Sequence, residues 1–169
     1  MAPASTTDSA HIRPPCRSIK RWQVARPIPV PSKSFAKCNL WIEPADYRGI
    51  PTSGALRPDG TAVLDRGLAL EAARRFTDID VDLGRLLASR GNHVHLIRPG
   101  LFSFPVKQYA WSGLDLRIIE RSGRELCALV GGARTLLPKP TTDDAGFPWE
   151  KVAEVLAFLP DNVVVIDHG

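Results

Sequence analysis

At 169 residues with 44% apolar side chains, the chain is long enough for one α/β domain with a normal core and too short for two. No apolar run approaches the roughly 20 residues that span a bilayer, so a soluble globular protein with no membrane partner is expected. The net charge of +4 is unevenly placed: residues 1–37 hold seven Lys/Arg against Asp8 alone, and residues 38–169 hold 15 against 17 acids.

The basicity therefore belongs to the N-terminal segment and not to the body. That segment, taken as residues 1–34, also holds Pro3, Pro14, Pro15, Pro27, Pro29 and Pro31. Such a composition buries too little apolar area to offset its ordering entropy, so a mobile tail is the first expectation. An organellar transit peptide, a loose nucleic-acid tether, and an ordered extension held through Trp22 and Val24 stay open beside it.

Residues 35–169 read as one α/β domain. In chain order, helical patterns are predicted over 61–76 and 81–91, strands over 93–97 and 101–106, a helix over 115–130, a strand over 133–138, a helix over 148–159 and a strand over 162–166. Leu64, Leu68, Ala72 and Phe76 recur at four-residue spacing, and Leu116, Ile119, Leu126 and Val130, at intervals of three, seven and four, share one helical face in the same way. Gly131-Gly132 ends the 115–130 helix, and Pro148 with Glu150 suits the start of the last one.

Cys16, Cys38 and Cys127 form no CxxC pair, which argues against a disulfide framework or a zinc site and for a reduced, cytoplasmic setting. His93 and His95 would share one side of a strand, yet no third ligand stands at a telling spacing. Structural roles are expected for both, with no metal and no cofactor.

In open α/β sheets ligands sit where strand ends meet helix N-termini. The loops 50–60 and 141–146 and the strand end 104–107 qualify and are expected to share one cleft.

The blocks IPTSGALRPDGTAVLDRGLALEAARRF, GNHVHLI, SFPVK, DLRIIERSGREL and LPKPTTDDAGFPWEKV, in that order, resemble bacterial macrodomains. The likeness is to the branch that removes ADP-ribose from acidic side chains or nucleic-acid bases, and it covers roughly residues 33–167. It implies a mixed central sheet with helices on both faces, a three-layer α/β/α sandwich.

The resemblance also implies site residues. Thr52, Ser53 and Gly54 stand for a T-N-G-like block beside the distal ribose. Leu64, Asp65, Arg66 and Gly67 stand for a glycine-rich phosphate turn. Lys107 stands for the family's catalytic lysine. Thr141, Thr142, Asp143, Asp144, Ala145 and Gly146 stand for the second phosphate loop, and Asn39 stands for an acid that meets the adenine amine. The strand before Gly54 carries Arg48 and Gly49, poor residues for an interior strand.

The frame is kept while the ligand-facing positions change. Glycine loops offer a diphosphate bare N–H groups, and Asp65, Asp143 and Asp144 bring carboxylates instead. Two like charges about 4 Å apart repel by roughly 1 kcal/mol in water and more in a dry cleft. For Asp143 and Asp144 three readings stand: helix capping or a solvent-facing position, ligand contact, and a catalytic or metal role.

Lys107 is either a nucleophile or electrostatic anchor, or a plain strand-end lysine. As a nucleophile it needs burial or cationic neighbours, for which Arg98 and Lys139 are the candidates. The family's partner acid aligns with Ala145, one residue from Asp144, the substitute. Without it, turnover falls by roughly 10².

The expected function is binding of ADP-ribose, a related nucleotide or an ADP-ribosylated macromolecule, with ADP-ribosyl hydrolysis through Lys107 and Asp144. The rivals are a degenerate, non-catalytic module that binds a protein partner, and a hydrolase acting on nucleic acid tethered by the basic segment.

Overall fold

The computed structural model describes residues 37–140 and 147–169. Segment 1–34 and the site candidates Thr141, Thr142, Asp143, Asp144 and Gly146 lie outside the described residues.

Ten elements follow the chain: β1 (Lys37–Cys38), β2 (Tyr47–Ser53), α1 (Gly67–Arg75), α2 (Ile79–Arg90), β3 (Leu96–Arg98), β4 (Leu101–Lys107), α3 (Leu116–Val130), β5 (Thr135–Pro138), α4 (Trp149–Val155) and β6 (Val163–His168). The six strands form one sheet in the order β1-β6-β5-β2-β4-β3. All neighbours are parallel except β3, which runs antiparallel to β4 at the edge.

Each face of the sheet carries its own core. Phe102, Phe104, Val106 and Leu137 pack with Ile119 and Leu126 of α3 and Val152 of α4. Ile50, Leu101, Leu136 and Ile166 pack with Ala72 of α1 and with Ile79 and Leu83 of α2. The expected mixed sheet in a three-layer α/β/α arrangement is what the chain builds.

The apolar period of α3 translates directly into burial, since Ile119, Leu126 and Val130 face the core. Asp115 caps the helix, its Oδ1 accepting from the N–H of Arg117 at 2.9 Å. Gly131, at φ +54°, ends it in a conformation that favours glycine.

The helix expected over 61–76 begins only at Gly67. Leu64 is buried with the α1 core, yet it belongs to the connection before the helix. Residues 56–62 close a small hairpin instead. Arg57 N donates to Thr61 O at 2.8 Å and Ala62 N to Asp80 O at 2.9 Å. These N–H groups are thereby unavailable to a helical ladder.

Residues 93–95 likewise precede β3 rather than belonging to it. Their hydrogen bonds go elsewhere: Val94 N donates to Glu125 Oε2 at 2.9 Å and His95 N to Ser103 Oγ at 2.9 Å.

Arg48 and Gly49 do sit in the interior strand β2, and both have a tertiary use. Arg48 turns its guanidinium toward the β1–β2 connection and donates to the carbonyls of Leu40 (2.7 Å), Glu43 (2.6 Å) and Ala45 (3.3 Å). A Cβ at Gly49 would lie 3.1 Å from Leu137 Cδ1, so glycine lets β5 pack closely.

Candidate functional site at the strand ends

Parallel pairing brings the C-terminal ends of β2, β4, β5 and β6 to one side of the sheet. Along the β2–β4 ladder Thr52 pairs with Pro105, and Ser53 then pairs with Lys107, skipping Val106. Such a bulge bends the strand and re-aims its last side chain. Two features support it. Ser122 Oγ on α3 donates to the Pro105 carbonyl at 2.7 Å, and Asp115 N donates to Val106 O at 2.9 Å.

Two of the three expected loops therefore meet. Ser53 sits beside Lys107, and Gly54 N donates to Gln108 O at 3.0 Å. The third, 141–146, lies outside the described residues.

Lys107 is half-buried, and its Nζ donates to Ala110 O at 2.8 Å. It makes no ion pair among the described residues. Arg98, an expected neighbour, is not one. It pairs with Leu101 at the opposite end of β4, about 20 Å away at roughly 3.3 Å per residue. There it is held by Asp82 at 2.7 Å and Thr77 O at 2.5 Å. Lys139 follows β5, two places along the sheet from β4, and lies 5.2 Å from the Trp149 ring centre.

The remaining candidates divide. Thr52 and Ser53 are buried at the end of β2, and the Thr52 hydroxyl has no hydrogen-bond partner among the described residues. Asp65, Arg66 and Gly67 are exposed at the start of α1, with Gly67 at φ +51° as its first residue. Asp65 therefore adds an exposed carboxylate rather than one sealed into the strand ends.

Asn39 lies after β1, four strand spacings from β4, about 19 Å at roughly 4.8 Å each. Its Oδ1 accepts from Trp41 N at 2.9 Å. A carboxamide there presents a donor as well as an acceptor, unlike a carboxylate.

Asp143 and Asp144, read from the sequence as possible caps, lie outside the described residues; the N-cap of α4 is Pro148. The chain enters that helix extended, at φ −67° and ψ 150°, and proline at the boundary presets that φ.

His93 and His95 are spent structurally: His93 Nδ1 lies 2.7 Å from Glu125 Oε1, and His95 Nε2 lies 2.8 Å from Gly91 O. No cluster of three metal-ligating side chains occurs among the described residues.

The β4–α3 connection was not singled out from the sequence. It frames a cavity of about 500 Å³ lined by Gln108, Tyr109, Ser112, Leu114, Asp115 and Phe147, next to Lys107. Tyr109 and Trp111 stack at 4.9 Å and 10°, and Trp111 is 82% exposed. Two aromatics at i and i+2 between a strand and a helix were the only available signal.

The fold has counterparts among solved structures. The macrodomain of Thermus aquaticus DarG matches with TM-score 0.60 and 22% identity, over 80% of this chain and 96% of that one. The chain has a macrodomain fold. The macrodomain of Mycobacterium tuberculosis DarG matches with TM-score 0.65 and 16% identity, over 80% and 97% of the two chains. Thermosipho africanus DarTG in complex with ADP-ribose matches with TM-score 0.57 and 14% identity, over 76% of this chain and 39% of that one.

No protein-family model matches the sequence, and no curated protein does. At these identities the likeness is one of backbone architecture, carried by a divergent sequence. No helix among the described residues is long and apolar enough to cross a membrane.

Proposed function

We propose that this macrodomain binds ADP-ribose, free or attached to a macromolecule, along the strand ends from Asn39 to Lys107. The observation that carries the reading is the β2–β4 bulge, which places Lys107 beside Ser53 and Gly54 with no carboxylate partner among the described residues. A lysine so placed offers its charge to an anionic ligand. The span of about 19 Å from β1 to β4, four spacings of roughly 4.8 Å, suits an extended dinucleotide-sized molecule. The Thermosipho counterpart, solved with ADP-ribose, supports the choice of ligand.

Hydrolysis is the further step of the same proposal. Lys107 acts at the distal ribose either as nucleophile, bonding to the anomeric carbon as the bond to the modified carboxylate or base breaks and later being freed by water, after releasing the Ala110 carbonyl and a proton, or as the charge that steadies the departing group. Asp144 is the proposed acid-base partner.

Isothermal titration with free ADP-ribose tests the binding step. Heat that saturates in the micromolar range supports it, and silence at millimolar ligand rejects it. Release of ADP-ribose from a modified carboxylate or base then tests the chemistry.

A second reading, a non-catalytic interaction module, draws on the exposed Tyr109 and Phe147 that line the cavity and on Trp111 stacked against Tyr109. It requires a protein partner whose binding is lost in Trp111→Ala.

A further inference from the structure

We infer that Asn92 is a positioning residue of this cleft, holding the end of β4 so that Lys107 is presented to the ligand. The inference rests on the ADP-ribose reading and adds to it a residue from a loop outside the macrodomain resemblance's site blocks.

Asn92 lies between α2 and β3, distant in sequence from both strands it serves. Its Nδ2 donates to the main-chain carbonyl of Lys107 at 3.0 Å and to Gln108 Oε1 at 3.2 Å. Past the register shift, where Ser53 pairs with Lys107 and Gly54 N reaches Gln108 O, this side chain binds the Lys107 carbonyl.

The opposite wall is fitted to the same side chain. A Cβ at Gly54 would stand 2.9 Å from Asn92 Cγ and 3.0 Å from its Cβ and Nδ2. Glycine follows Ser53 because the amide occupies the room a side chain would need.

The loop bearing Asn92 is itself fastened to α3. Arg121 donates to the Asn92 carbonyl, His93 lies 2.7 Å from Glu125, and Val94 N donates to Glu125 at 2.9 Å. A pre-set support of this kind is what holds a site within tight tolerance.

One acceptor remains unused. Asn92 Oδ1 is buried without a hydrogen-bond partner among the described residues. Turning the amide over would set its oxygen against the Lys107 carbonyl, so the orientation is forced.

The test is a double-mutant cycle on ADP-ribose affinity with Asn92→Ala, Lys107→Ala and both, checked by thermal melting. Asn92→Asp, equal in size but lacking the donor at neutral pH, serves if the alanine variant does not fold. The expectation is affinity weakened about tenfold in Asn92→Ala, and a double variant no weaker than Lys107→Ala alone.

Amide exchange at Gly54, whose N–H binds Gln108 O, should also quicken in Asn92→Ala while Ile50 stays protected. Unchanged affinity, additive losses, or unchanged exchange at Gly54 overturns the positioning role. A wild type that does not bind ADP-ribose overturns the functional reading, and with it the use of the position, whatever the exchange shows.

Discussion

Ser53 and Lys107 are paired across the last rung of the β2–β4 ladder, one residue out of step with the rungs before it. That slip separates the end of β4 from the pleat that buries Phe102, Phe104 and Val106. It puts the only lysine of the strand at the mouth of the sheet rather than in a core.

Lys107→Ala should leave the fold nearly intact, because the side chain makes one hydrogen bond, to Ala110 O. A loss of about 1 kcal/mol or less in urea unfolding is expected. Affinity for ADP-ribose should fall at least tenfold, a figure of about 1.4 kcal/mol, read by isothermal titration. Equal affinity in the variant would remove Lys107 from the site.

Gly84→Ala should damage the cleft from a distance. A Cβ there would lie 2.1 Å from the Gly60 carbonyl on the hairpin that precedes α1. Helix and hairpin must separate, at a cost of about 1–3 kcal/mol for overpacking. Both the melting temperature and ADP-ribose affinity should drop, and Gly84→Ala with wild-type melting would contradict the packing described.

Arg48→Ala leaves the carbonyls of Leu40, Glu43 and Ala45 without their shared donor. Destabilisation of about 1–3 kcal/mol should follow. Arg48→Lys should recover little of it, since an ammonium lacks the planar fork that reaches three acceptors. Thermal melts of the two variants beside the wild type measure this, and full rescue by lysine would show that charge alone matters.

The Cys127 thiol has its pKa raised, first by burial and against the smaller lowering effects of a backbone hydrogen bond and Arg124. The native state therefore holds the thiol proton to higher pH than the unfolded chain. Its contribution to stability is complete below the unfolded thiol's pKa and is lost as pH rises through the native one. Iodoacetamide should alkylate native Cys127 more slowly than the urea-unfolded chain at pH 8 to 9, because the thiolate is the nucleophile. Equal rates would deny the shift.

Helix α3 shows how much of this architecture is local. The stripe Leu116, Ile119, Leu126 and Val130, the acid at position 115 and the glycine at 131 are all readable in order, and each does in the fold what its chemistry implies. Short apolar runs likewise marked β4, β5 and β6, because a parallel strand covered on both faces carries a near-continuous apolar sequence.

Where that period was broken, the reasons were tertiary. Arg48 and Gly49 make a poor strand by propensity and a good one by contact, through carbonyls and a Leu137 methyl contributed by other segments. Leu64 keeps the helical spacing outside the helix, because Asp80 O, on α2, takes the Ala62 N–H.

The site follows the same division. By themselves the residues and their resemblance singled out Lys107 and the Ser53–Gly54 pair, whose types reflect chemistry that any fold would have to supply. The meeting of these residues one rung out of register, the remoteness of Arg98, and the amide of Asn92 between them all depend on contacts between distant segments. Sequence periodicity carries no information about such contacts, because they arise only when the two cores close on the sheet.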